Sequence, residues 1–119
     1  MKRWIIGAAL LGIATGAYGA GWIKIAWGNG ETVWALRAET PRAIWVKTKF
    51  DSPQNDGNIY NKIVSLDRIN CASHSEKTVQ ETDYMDGTVT YAGPGYPLPE
   101  YGTPGTFGAA IIDVACGTK

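Results

Sequence analysis

Residues 66–71, Leu-Asp-Arg-Ile-Asn-Cys, end an apolar, strand-like segment in the middle of the chain. The only other cysteine, Cys116, stands at the far end of a short helix-like segment, directly before Gly117. If Cys71 and Cys116 bond, the last third of the chain is tied back onto the middle of a sheet. These residues indicate an architecture and a cellular compartment, but they specify no reaction.

A secretory signal peptide is predicted over residues 1–19. Residues 1–3 are a basic start, residues 4–14 are an uncharged apolar run, and residues 17–19 place small residues where signal peptidase reads them. A membrane anchor is the alternative, because the uncharged run 4–23 is just long enough to span a bilayer. Its glycine-rich second half favours cleavage, and no cysteine stands nearby to carry a lipid. Residues 20–119 are then a single domain by length.

The charge balance excludes some classes of partner. The sequence has 11 basic and 11 acidic side chains, and Lys2 and Arg3 lie in the predicted signal peptide, so 9 basic residues remain against 11 acidic ones. A net charge near −2 does not attract nucleic acid or anionic lipid. No membrane span is expected after cleavage, and a homodimer is left open.

Export also decides how the two cysteines are interpreted. In an oxidising compartment, two cysteines in a small domain usually pair. The alternatives are a metal site or a reactive thiol, but a metal needs more ligands and His74 is the only histidine. The sequence therefore predicts a structural disulfide between Cys71 and Cys116, with no metal and no cofactor.

Most of the mature chain is expected to be extended. The clearest strand is 43–50, in which Ile44, Val46 and Thr48 point to the core while Trp45 is half-exposed on the other side. The glycine-rich Gly28-Asn29-Gly30 predicts a hairpin turn. The other expected elements are strands at 21–27, 31–37, 59–72 and 88–91, an exposed edge strand at 73–84, loops at 51–58 and 93–105, and a helix capped by Thr103 or Thr106 that runs to Ala115.

Candidate catalytic residues are few. His74 is expected to be a surface side chain, and Ser73 and Ser75 would point away from it on a strand, so they form no nucleophile–base pair. Asp83 and Asp86 frame a turn, which explains them without acid–base chemistry. The polar loop 51–58 lacks the ligand spacing of a calcium loop.

The segment 93–105 is the predicted contact surface for a partner. It carries four prolines, which limit the entropy lost on binding, and Tyr96, Leu98 and Tyr101, which offer apolar area. The alternative is that Tyr96 and Leu98 fold back to cover the sheet. Trp45 is a further candidate contact.

The order of these features resembles the surface-adhesin protein E family of small exported bacterial proteins. The resemblance is carried by IWVKTKF (44–50), IYNKIVSLDRINC (59–71), a tyrosine before the Asp86-Gly87 turn, and a final helix ending in Val-Ala-Cys (114–116). It implies an α+β, mainly β fold: an antiparallel sheet of about five to six strands, with a short C-terminal helix joined to it by the disulfide.

By the same resemblance the protein is an exported, non-catalytic binding protein whose partner is a host matrix protein or an envelope protein. The named adhesin of the family is lipid-anchored, and this chain lacks the lipidation cysteine, so a periplasmic, secreted or surface form without a lipid is expected. A small secreted enzyme or enzyme inhibitor is the alternative. An enzyme would show a pocket with convergent titratable groups.

Overall fold

The computed structural model describes residues 12–13, 21–38 and 42–117, the first pair by its backbone alone. The elements in chain order are β1 (Gly12–Ile13), β2 (Ile23–Gly28), β3 (Glu31–Arg37), β4 (Ala43–Asn55), β5 (Ile59–Asn70), β6 (Ser75–Met85), β7 (Thr88–Pro94), β8 (Glu100–Tyr101) and α1 (Phe107–Cys116).

The strands form one antiparallel sheet in which neighbours in sequence are neighbours in space. The order runs from β1 to β7, and β8 pairs with β6 beyond the end of β7. Six strands of six or more residues, β2 to β7, make up nearly all of the sheet. The α+β, mainly β class and the antiparallel sheet with a C-terminal helix are thus confirmed. The predicted signal peptide 1–19 lies outside the described residues except for β1, which pairs with Ala26 and Trp27 of β2.

The helix α1 packs on one side of the sheet, which we call the inner face. Val33, Ala35, Ile44 and Val46 alternate along β3 and β4 and form a buried core with Phe107, Ala110, Ile111 and Ile112 of the helix. The opposite side of β2 to β6 is the outer face, and it carries the intervening residues of each strand. Trp45 lies there and is half-buried, as its charged neighbours predicted.

Both ends of α1 are formed by the residues expected to end it. Thr106 is the N-cap, and its hydroxyl accepts a hydrogen bond from the Ala109 amide at 3.2 Å. Gly117 follows the last turn with φ 77°, a left-handed conformation that glycine adopts without steric cost. These caps fix the position of Cys116, the last residue of the helix.

Three expectations about local structure were wrong. Residues 51–55 continue β4 instead of forming a loop, because β5 follows them across a register shift. β6 is not an exposed edge strand: it lies between β5 and β7, and Ser75, Glu76, Thr78, Glu81 and Asp83 are buried on it. The segment 93–105 is partly regular, since β7 reaches Pro94 and Glu100–Tyr101 pairs with Ser75 and Glu76.

Candidate functional site

The disulfide joins α1 to the end of β5. Cys71 and Cys116 are bonded with their Cα atoms 5.9 Å apart, and 45 residues separate them in sequence. The chain between them includes β6, β7, β8 and nearly all of the helix. The bond therefore ties the end of this part of the chain back to the end of β5. The predicted pairing is present.

His74 is a connector between three segments. It lies in the turn between β5 and β6 with φ 54°, and not on a strand as expected. Its Nδ1 lies 3.1 Å from the Gly102 carbonyl oxygen, and its Nε2 lies 3.2 Å from Asp113 Oδ1 on the helix. His74 and Asp113 are both about half-exposed, and these contacts account for both ring nitrogens. The imidazole therefore holds the β5–β6 turn to Gly102 and to the helix.

The other polar candidates form no catalytic arrangement. Ser73 Oγ and Ser75 Oγ lie 2.7 Å apart, so each hydroxyl contacts the other. Asp86 occupies the β6–β7 turn and accepts a hydrogen bond from the Asn61 amide at 2.9 Å, whereas Asp83 is fully buried. Within the described ranges, no three His, Cys, Asp or Glu side chains are grouped so as to hold a metal ion.

The segment 95–106, which we call the crossover, is held against β6. Gly95 donates its amide to the Val79 carbonyl at 3.4 Å, and Gly102 donates to the His74 carbonyl at 2.9 Å. Between these two points, Tyr96 and Leu98 border a cavity of about 10 Å³ together with Glu76, Thr78 and Glu100. That is about the size that one water molecule needs. The crossover is thus ordered and held against the sheet, and it is not a free loop.

The predicted contact residues differ in how exposed they are. Tyr96 is half-buried against β6, whereas Leu98 and Tyr101 are 58% and 62% exposed. Trp45 lies apart from them, on the outer face of β4, with two strands between β4 and β8. The structure therefore leaves Leu98 and Tyr101 exposed on the same segment, with Leu98 beside Tyr96 at the small cavity, and it places Trp45 elsewhere.

A groove lies beside Pro99 and Tyr101 of the crossover. Its volume is about 500 Å³, and Tyr101 and Pro99 form one wall. Arg42, Arg68 and Lys77 line it as well, and Arg68 and Lys77 are directly opposite each other on β5 and β6. The groove combines an aromatic side chain and three cations with one largely buried acidic residue, Glu76, which suits a surface contact with a mixed polar patch.

Burial of acidic side chains was not predicted from the sequence. Glu31, Asp67, Glu76, Glu81 and Asp83 are each at most 5% exposed. Asp67 and Glu76 face the same side of neighbouring strands, and burial raises the pKa of both; the negative charge of Asp67 raises that of Glu76 further. The alternation of polar residues on β5 and β6 is typical of a solvent-exposed strand. The sequence pattern therefore predicted exposure for side chains that the structure shows to be buried.

The fold and its surface define a small sheet domain whose helix is joined to the sheet by a disulfide and whose exposed large side chains include Leu98 and Tyr101. The family model for surface-adhesin protein E matches residues 24–117, and the chain belongs to that family. No curated protein and no solved structure showed a significant similarity to it. Within the described residues, no helix is long and apolar enough to cross a membrane.

Proposed function

We propose that this protein is an exported, non-catalytic binding protein of the bacterial envelope or surface, and that it contacts a protein partner through Leu98 and Tyr101. Family membership supports a surface-adhesin role. The observation that carries the contact site is the exposure of these two large side chains, 58% and 62%, on a segment that is fixed at both ends.

Because the crossover is held at both ends, it loses less conformational entropy when a partner binds. Hydrogen bonds at Gly95 and Gly102 and the pairing of β8 with β6 order the backbone before a partner arrives. A contact segment that is already ordered loses less conformational entropy on association. Tyrosine and leucine then supply apolar area at the centre of the contact, and the cationic groove beside Tyr101 supplies the polar rim.

The partner class follows from the family and the predicted export. Host extracellular-matrix proteins and proteins of the cell's own envelope are the two sets to search with the mature protein. The signal peptide 1–19 and a mature form without a lipid belong to this proposal. They place the domain in the periplasm, in the medium or at the cell surface.

The test compares two pairs of equally exposed apolar side chains. A partner captured from either set is purified, and its affinity for wild type is compared with that for Leu98→Ala/Tyr101→Ala. Ile59→Ala/Val89→Ala is the matched control, because Ile59 and Val89 are 49% and 52% exposed at the other end of β5 and β7. We expect the first pair to weaken binding by about tenfold or more and the control pair to leave it unchanged. Equal affinities in all three proteins would place the contact elsewhere.

A further inference from the structure

The outer face carries a group of lysines that lie in two neighbouring rows. Strand register aligns Lys24, Trp34, Lys47 and Val64 in one row across β2 to β5. The next row contains Trp27, Thr32, Lys49, Lys62 and Tyr84 across β2 to β6. Residues directly opposite each other in antiparallel strands project from the same side. Neither row contains a carboxylate.

Three of these lysines repel one another, and we call Lys47, Lys49 and Lys62 the lysine triad. Lys49 is directly opposite Lys62, and Lys47 is two residues from Lys49 on the same strand. Burial, followed by the charges of Lys62 and Lys49, lowers the pKa of Lys47 below its ordinary value. Like charges placed directly opposite in a sheet are destabilising. An external anion would relieve this repulsion.

Aromatic rings hold the ammonium groups in place. Lys47 Nζ lies 4.8 Å from the centre of the Trp22 ring and 5.1 Å from that of Trp34. Lys62 Nζ lies 4.5 Å from the Tyr84 ring centre, and Lys24 Nζ lies 4.9 Å from that of Trp27. Such cation–π contacts fix long, flexible side chains. Each ammonium group also covers one face of its ring, which leaves less ring area on which nucleic-acid bases could stack.

The equal numbers of acidic and basic residues in the whole chain give no indication of this cationic surface. Glu31, Asp67, Glu81 and Asp83 belong to strands β3, β5 and β6, yet all four are buried and absent from the two outer rows. The buried carboxyl groups of these strands therefore do not face the lysines of the outer face. A partner that approaches the outer face meets a cationic surface, whatever the net charge of the whole chain.

We propose that the outer face around the lysine triad binds an extended anionic polysaccharide, one that carries sulfate or carboxylate groups along its length. Neighbouring strands lie about 4.8 Å apart, and residues two apart on a strand lie about 6.7 Å apart, so the triad forms a flat, closely spaced set of charges. A flexible linear chain can lie across such a surface and place an anion near each ammonium group. The covered ring faces favour a glycan over single-stranded nucleic acid. This site goes beyond the protein contact proposed at Leu98 and Tyr101 and shares no residue with it.

The experiment uses the protein purified from its native compartment, with immobilised heparin as the probe. Wild type is compared with Lys47→Gln/Lys49→Gln/Lys62→Gln and with Arg42→Gln/Arg68→Gln/Lys77→Gln, which removes the same charge from the groove beside Tyr101. Heparin affinity, its salt dependence and tryptophan fluorescence are measured for each. We expect the triad variant to lose affinity by about tenfold or more, with a shallower salt dependence, and the groove variant to lose much less. Binding should also change the tryptophan emission, because Lys47 lies over Trp22 and Trp34.

Thermal unfolding of the triad variant checks that it is folded. Its melting temperature should stay near that of wild type, because loss of the repulsion and loss of the contacts with Trp22, Trp34 and Tyr84 act in opposite directions. Lys47→Arg/Lys49→Arg/Lys62→Arg, which keeps the charge, should retain most of the affinity. Three results would overturn the proposal: no heparin binding by wild type, an equal loss in the triad and groove variants, or tighter binding of a single-stranded oligonucleotide or of anionic lipid vesicles at the same salt concentration.

Discussion

Gly95 lies so close to Thr78 that a Cβ atom on Gly95 would be 2.3 Å from Thr78 Cγ2 and 2.6 Å from the Thr78 carbonyl oxygen. This approach allows the crossover to rest directly on β6. We therefore expect Gly95→Ala to destabilise the domain, since backbone atoms of a central strand cannot move aside. Thermal unfolding measures the effect.

Gly93→Ala is the control for this substitution. Its nearest neighbour would be the Tyr91 hydroxyl at 2.9 Å, the far end of a side chain that can rotate away. A smaller loss of stability is expected there. If both substitutions lower the melting temperature equally, the tight packing of the crossover on Thr78 is not what holds it.

The disulfide gives a second prediction. Closing a loop of 45 residues is worth about 4 kcal/mol on the chain-entropy model. Cys71→Ala/Cys116→Ala should accordingly lower the melting temperature by more than about 10 °C, because ~1 kcal/mol corresponds to about 4–8 °C at this size. Native protein should also have a mass two hydrogens below that of the dithiol. Two titratable thiols in the native chain, or a variant with unchanged stability, would contradict this prediction.

The sequence predicted the parts of the fold that local rules determine. Alternation placed Ile44 and Val46 in the core, and Thr106 and Gly117 were expected to bound the helix. The burial of Asp67 and Glu76 was missed, because it depends on which strands become central in the sheet and on what covers them. Leu98 and Tyr101 were expected to be contacts on general grounds, but the partial burial of Tyr96 beside them required knowledge of how the crossover packs on β6.

The pH dependence of stability gives a third prediction. Burial raises the pKa of Glu31 from 4.5 to about 7. Between these values the folded state holds a proton that the unfolded state has released, so this group's contribution to stability decreases as the pH rises through that window. Glu31→Gln should therefore raise the melting temperature at pH 8 and leave it nearly unchanged at pH 4.

Asp51→Asn is the matched control, because it neutralises an exposed carboxylate near the same hairpin. It should alter the melting temperature little at either pH. A Glu31→Gln effect of equal size at pH 4 and pH 8 would show that the substitution acts through packing and not through protonation.

The fourth prediction concerns the start of the mature chain. The basic start, apolar run and small residues at 17–19 predict a protein that begins near Ala20, which intact mass of the native material measures. Mature material that retains Trp4 would contradict cleavage.

Cleavage would also remove β1, the partner of Ala26 and Trp27. Backbone amides of β2 should then exchange with solvent faster than those of β4, which keeps neighbours on both sides. Equal exchange in the two strands of the mature protein would show that the edge of β2 is covered by something else.

The position of the lysine triad on one side of the sheet gives the folded molecule an orientation as well as an affinity. Lys47, Lys49 and Lys62 lie on the outer face, opposite the side on which α1 packs. Near a negatively charged surface the domain would rotate until the outer face is directed toward that surface. The side that bears α1 would then face away from the surface. Molecules that tumble freely in solution would therefore adsorb in one common orientation.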